Sequence, residues 1–153
     1  MHPNAELIAH FYTALSKLDG AGMAACYASD ARFSDPVFTD LRGQEPGKMW
    51  RMLCKRGKDM TVVFDGIEAT DTAGKAHWVA TYTFSGTGRK VVNDIQASFV
   101  FKDGKIAQHK DVFDLYKWAR QALGLKGVLL GWTPLVQGAI RKQAAAGLAA
   151  FKG

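Results

Sequence analysis

Apolar residues along this chain follow two periods, and the change between them divides the sequence. Leu7, Ile8, Phe11, Tyr12, Leu15 and Leu18 recur at helical spacing, which predicts a first helix with Asn4 as N-cap and Gly20 near its stop. "GMAACYAS" reads as a second short helix. "ARFSDPVF", residues 31–38, follows as a strand edge or sharp turn. A third helix starts after Gly43 and carries Met49, Trp50, Met52 and Leu53. From Asp59 the period becomes two, and "TVVFDGIEAT", "AHWVATYTF", "VVNDIQASFVF" and "KIAQHKDVF" are four strand candidates. "DTAGK", "SGTGR" and "KDGK" join them as hairpins, with Asp103-Gly104 suited to a two-residue type I′ turn. "LYKWARQAL" restores the helical period up to Gly124, and a final helix has Thr133 as N-cap and Pro134 at its first position. Helices followed by an antiparallel meander predict an α+β fold, a curved sheet wrapped over three N-terminal helices with a C-terminal helical extension. No internal repeat or low-complexity linker interrupts it.

The Asp103-Gly104 turn supplies a register. With Lys102 opposite Lys105 and regular alternation, Ser98 faces His109 and Gln96 faces Asp111. Asp94, Gln96, Ser98, His109, Asp111 and Phe113 then share a polar face. Ile95, Ala97, Phe99, Phe101, Ile106 and Val112 share the apolar one. Two readings stand: the polar face is the solvent side of the sheet, or it lines a cavity while the apolar face meets a partner subunit. Trp78, Ala80, Tyr82 and Phe84 alternate on one side of their strand, as core or as a cavity wall.

Composition narrows the class. At 153 residues, 48% apolar and 22% charged, the chain is expected to be one globular domain. No apolar run reaches the roughly 18 residues of a membrane span, and the first residues lack the layout of a signal peptide. Cys26 and Cys54 read as free thiols in a reducing, cytoplasmic setting. The formal charge of +6 is unevenly placed. Residues 1–114 hold 14 basic and 14 acidic side chains, whereas residues 115–153 hold Lys117, Arg120, Lys126, Arg141, Lys142 and Lys152 with no acidic residue. These cations are few and not interleaved with a stacking platform, so no nucleic-acid partner is expected.

Asp35 is the first candidate for chemistry, a carboxylate set among Phe33, Pro36, Val37 and Phe38. His109 and Asp111, two apart on one strand, are same-face neighbours able to share a proton network. As a metal site the pair lacks a third ligand, and no metal is expected.

The helix–helix–"FSDPVF"–helix order, followed by a meander ending "IAQHKDVFDLY", resembles the nuclear transport factor 2-like superfamily. Within it, the chain is similar to SnoaL-like polyketide cyclases, steroid delta-isomerases and limonene epoxide hydrolases. The resemblance spans roughly residues 5–123, giving a SnoaL-like domain over 1–124 and a basic, apolar helical extension of the same domain over 125–153. It implies a conical cavity for a small hydrophobic ligand and a homodimer packed through the convex sheet face. It also places Asp35 where steroid isomerases carry their general base in a "DPV" segment. Their first-helix tyrosine falls by gapless count on Phe11, with Tyr12 beside it, and their strand aspartate falls near Ala97 or Gln96. "HKDVFD" matches an epoxide hydrolase strand at Asp111, but the other members of that triad fall on Ala80 and Trp78, so that mechanism is not expected. The polyketide cyclases' aspartate with a nearby histidine resembles Asp111 with His109.

The resulting expectation is a cofactor-independent acid–base enzyme of isomerase or cyclase type, with Asp35, Asp111 and His109 as catalytic residues. Tyr12, Phe33, Trp50, Trp78, Tyr82, Gln96 and Phe113 are expected to line the substrate site. The alternative is a non-catalytic ligand-binding or dimerisation module of the same fold. For the extension, completing a neighbour's core is favoured over acting as a lid, packing across a dimer or touching a membrane surface.

Overall fold

The computed structural model describes residues 1–153. Helix α1 spans Pro3–Ser16 and α2 spans Gly20–Ala24, followed by strands β1 (Tyr27–Ser34) and β2 (Leu41–Arg42). Helix α3 (Glu45–Arg56) leads into β3 (Thr61–Ala69), β4 (Ala73–Phe84), β5 (Arg89–Lys102) and β6 (Lys105–Val112). The chain ends in α4 (Leu115–Leu123), α5 (Leu125–Leu130) and α6 (Pro134–Ala150). The α+β architecture is the expected one, with a curved, open sheet in the order β2-β1-β6-β5-β4-β3. The meander is antiparallel throughout, while β1 joins the edge of β6 in parallel.

Local chemistry accounts for most boundaries and moves a few. Thr133 caps α6 through its hydroxyl, which accepts from Val136 N–H, and Pro134 begins the helix. Asp103 and Gly104 both take positive φ, 52° and 74°, as a type I′ turn demands. The cap of α1 is His2 rather than Asn4: its Nδ1 accepts from Asn4 N–H at 3.0 Å. The Asn4 amide instead donates to Thr70 and Asp71 carbonyls in the β3–β4 turn. The second helix stops at Ala24, so that Tyr27 lies in β1 opposite Ile106.

The hairpin register is corrected at one residue. Lys102 pairs with Lys105 and Phe101 with Ile106, but Val100 pairs with Gln108, leaving Ala107 as a bulge. A single extra residue reverses the facing of everything beyond it. His109 therefore lies opposite Phe99 and Asp111 opposite Ala97, on the inner face. Asp94, Gln96 and Ser98 face outward, and so does Val112. The expected polar face is thus divided, and the apolar residues of β5 line the concave side.

Two hydrophobic clusters fill that concave side. The larger joins α1, α2 and α3 to the sheet through Phe11, Tyr12, Trp50, Trp78 and Phe99, among others. The smaller sets Leu115, Trp118, Ala119 and Ala122 of α4 over Val91 of β5. Val37, Tyr82 and Phe113 touch both clusters, so the loop carrying Asp35 sits at their seam.

Candidate active site

Four side chains form a continuous buried hydrogen-bond chain. Trp50 Nε1–H donates to the Tyr27 hydroxyl at 2.8 Å, Tyr27 lies 2.8 Å from His109 Nδ1, and His109 Nε2 lies 2.8 Å from Asp111 Oδ1. Three elements supply them: the buried face of α3, the start of β1, and two inward positions of β6 beyond the bulge. Phe33 and Phe99 pack on the His109 ring at centroid distances of 4.9 and 4.4 Å. Such packing fixes the imidazole in the plane its two partners require.

Asp35 closes a tight turn after β1. Its Oδ1 accepts the backbone N–H groups of Val37 at 2.7 Å and Phe38 at 2.6 Å, and its own N–H donates to Phe38 O at 2.8 Å. The pentapeptide "SDPVF", residues 34–38, thus makes an aspartate turn whose second oxygen has no protein donor. Burial raises the carboxyl from 3.8 to about 7; the two N–H groups oppose the rise, and the charge of Asp111 adds to it. Tyr82 is also raised, by burial first, with the bond from Trp118 Nε1–H (2.8 Å) opposing and the Asp35 charge contributing. Asp35 therefore lies within electrostatic reach of both Asp111 and Tyr82.

Two donors near this network have no partner. The Tyr12 hydroxyl and the Trp78 indole N–H are buried and make no hydrogen bond, and their rings stand 5.5 Å apart. The Tyr12 hydroxyl is raised well above its ordinary value by burial, with Asp111 and Tyr27 adding to it. Buried donors are rarely left unpaired, so these two mark a place where another acceptor is wanted. Asn93, absent from the sequence-derived candidates, points inward opposite Ala80 and is buried.

The structure thus brings Asp35, His109, Asp111, Tyr12, Trp78 and Tyr82 to the concave side, with Phe33, Trp50 and Phe113 packed around them. Gln96 is separated from them on the outer face. The phenol of α1 beside the network belongs to Tyr12, while Phe11 packs edge-on against Tyr27 and His109. Sequence reasoning missed Tyr27, Asn93 and Arg141. Arg141 Nε–H donates to Pro36 O at 2.8 Å and pins α6 to the Asp35 turn. Only Tyr27 left a readable signal, an aromatic eight residues before Asp35 in a segment assigned to helix. No group of three or more His, Cys, Asp or Glu is arranged to hold a metal. An open cleft of about 510 Å³ is lined by Arg32, Ser34, Asp40, Ser98, Gln108, His109 and Lys110 among others, and Asp35 is not among its lining residues.

Solved structures share this fold. A nuclear transport factor 2-like protein of unknown function from Burkholderia pseudomallei aligns at a TM-score of 0.69 and 18% identity, covering 80% of this chain and 98% of its own. An epoxide hydrolase of limonene-epoxide-hydrolase type from Mycobacterium tuberculosis aligns at 0.62 and 21% identity, over 88% and 95% of the two chains. A putative polyketide cyclase from Xanthomonas campestris aligns at 0.63 and 22% identity, over 78% and 96%. No curated protein matches the sequence. The SnoaL-like domain matches residues 8–109, from the first helix to the inward histidine of β6, and the chain belongs to that family.

Proposed function

We propose that this protein is a cofactor-independent acid–base enzyme of isomerase or cyclase type, acting on a small hydrophobic carbonyl or polyketide-like compound. The observation that carries the proposal is Asp35, a half-buried carboxyl oriented by two backbone N–H groups and raised by desolvation to about 7, within the field of the buried Asp111 carboxyl held by histidine. A base poised near neutral pH can take a proton from carbon and return it. Asp35 Oδ2 removes a proton next to the substrate carbonyl. Tyr12 O–H and Trp78 Nε1–H donate to the oxygen on which negative charge collects. The proton then returns to another carbon, which is isomerisation, or the enolate carbon attacks a second carbonyl, whose oxygen takes up the proton, which is cyclisation. Asp111 and His109 hold or deliver the proton on the oxygen side.

Solvent-deuterium incorporation into a panel of ketones and 1,3-diketones tests this. The wild type is expected to exchange the carbon-bound hydrogens, and Asp35→Asn to lose roughly 10²- to 10⁴-fold. Equal exchange by wild type, Asp35→Asn and Asp111→Asn overturns it.

One observation favours the non-catalytic alternative: the rings of Phe11, Tyr12, Trp50, Trp78 and Phe99 fill the space between the helices and the sheet. A ligand-binding module of this kind would bind the same compounds without exchange and without sensitivity to Asp35→Asn. With either reading we propose a homodimer through the convex sheet face, where Val63, Val92, Val100 and Val112 stand exposed.

A further inference from the structure

Helix α5 is turned inside out. Its glycine Gly127 is buried against α4, where a Cβ would run into the Ala119 carbonyl, and the following Gly131 sits against the Ala119 side chain. The small residues thus face the protein, and the large apolar ones face away. Leu125 is 73% exposed, Leu129 60%, Trp132 64% and Leu135 84%, with Val128 and Leu130 also exposed. Six large apolar side chains within eleven residues form one protruding ridge, whereas monomer surfaces carry such residues singly. The ridge is held in place: the Tyr116 hydroxyl donates to Val128 O at 2.8 Å, and Trp132 Nε1–H donates to Leu129 O at 3.1 Å. With its one polar atom satisfied locally, the rest of the Trp132 ring is available to an apolar phase.

The charged side chains of the ridge's own segment, residues 115–153, carry a single sign. Lys117, Arg120, Lys126 and Lys142 are exposed on α4, α5 and α6, and residues 115–153 contain no acidic side chain. Arg120 lies over the Tyr116 ring at 4.9 Å, which sets it next to α5. Two copies meeting through this ridge would bring like charges together. A flat anionic surface needs no matching pocket for protruding leucines, attracts the cations, and accepts a tryptophan at its polar boundary. No helix is long and apolar enough to cross a membrane, so the contact is peripheral.

We propose that the ridge from Leu125 to Leu135 docks this protein onto an anionic lipid surface. The inference is independent of the acid–base reading. The test is co-sedimentation of the full chain with phosphatidylcholine vesicles, with and without about a third phosphatidylglycerol. The wild type sediments with the anionic vesicles at low salt and is released as salt rises. Leu129→Gln/Trp132→Gln abolishes sedimentation, and Arg120→Gln/Lys126→Gln weakens it by about twenty-fivefold, at roughly a factor of five per charge. Unchanged thermal melting of both double variants shows that the fold is intact, as expected for exposed positions. Wild type that stays in the supernatant at low salt overturns the proposal. Equal binding to neutral vesicles, or equal binding by the Leu129/Trp132 variant, also overturns it. A concentration-dependent oligomer abolished by Leu129→Gln, with no vesicle binding, overturns it in favour of a second copy of the chain.

Discussion

The Tyr27 hydroxyl stands 2.8 Å from His109 Nδ1 while accepting the Trp50 indole N–H at the same distance. The indole can only donate, so the Tyr27 oxygen is an acceptor there, and the Tyr27 O–H is free to donate to His109 Nδ1. In that arrangement the imidazole Nε2–H is directed at Asp111 Oδ1. The expected outcome in nitrogen-15 spectra is an Nε2–H tautomer for His109. A proton on Nδ1 would reverse the chain and remove the support for Asp111 as the acceptor.

Two tyrosine-to-phenylalanine changes should have opposite effects on stability. Tyr27→Phe deprives Trp50 of its acceptor and His109 of its donor inside the core, at a cost of roughly 1–3 kcal/mol. Tyr12→Phe removes a buried hydroxyl that has no partner, so it should be neutral or stabilising by about 1 kcal/mol. Urea unfolding checks both. Tyr12→Phe should nonetheless lower hydrogen exchange into a ketone substrate, because the donor is lost where oxyanion charge collects. A large destabilisation by Tyr12→Phe would mean that its hydroxyl is already satisfied in the folded protein.

The α+β class, the helices other than α5 and the four strands of the meander were legible because apolar periodicity changes sharply at Asp59. The turn at Asp103-Gly104 was legible because only certain residues accept two successive positive φ values. The bulge at Ala107 was not, since an alanine can occupy such a position without any glycine or proline to mark it. That one residue decides whether His109 and Asp111 face water or the core. The partnership of Asp111 and His109 survived the error because residues two apart stay on the same face on either side of the slip. Tyr27 was hidden for a different reason: its strand is defined by pairing with β6, which is 79 positions away at Ile106, and local pattern carries no trace of that. Arg141 was hidden likewise, because its bond to Pro36 spans the whole meander.

Arg141 supplies a third prediction. Its single bond to Pro36 O joins α6 to the turn that orients Asp35. Arg141→Ala should speed amide hydrogen exchange at Val37 and Phe38, the two N–H groups bound to Asp35, while leaving the meander unchanged. The stability cost should be about 1 kcal/mol, as for a hydrogen bond from a charged group that is only half-buried. Faster exchange throughout the sheet would show instead that α6 supports the whole fold.

Asp35 supplies the last prediction, through pH. Folding raises its carboxyl from 3.8 to about 7, so the folded state binds this proton more tightly than the unfolded chain does. The stabilisation from the protonated form is complete below pH 3.8 and declines as pH rises through about 7, beyond which this group adds no further slope. Asp35→Asn keeps a side-chain oxygen for the Val37 and Phe38 N–H groups but cannot ionise. It should match the wild type below pH 3.8 and exceed it at pH 8 by up to about 4 kcal/mol, the equivalent of a shift from 3.8 to about 7. Activity should run the other way: the wild-type rate rises with an apparent pKa near 7 as Asp35 becomes a base, and the variant stays low at every pH. Urea titrations at pH 3, pH 5 and pH 8, with deuterium-exchange rates across the upper part of that range, measure both slopes. A wild type whose stability difference from Asp35→Asn does not change with pH would place Asp35 among solvated carboxylates and end its candidacy as the base.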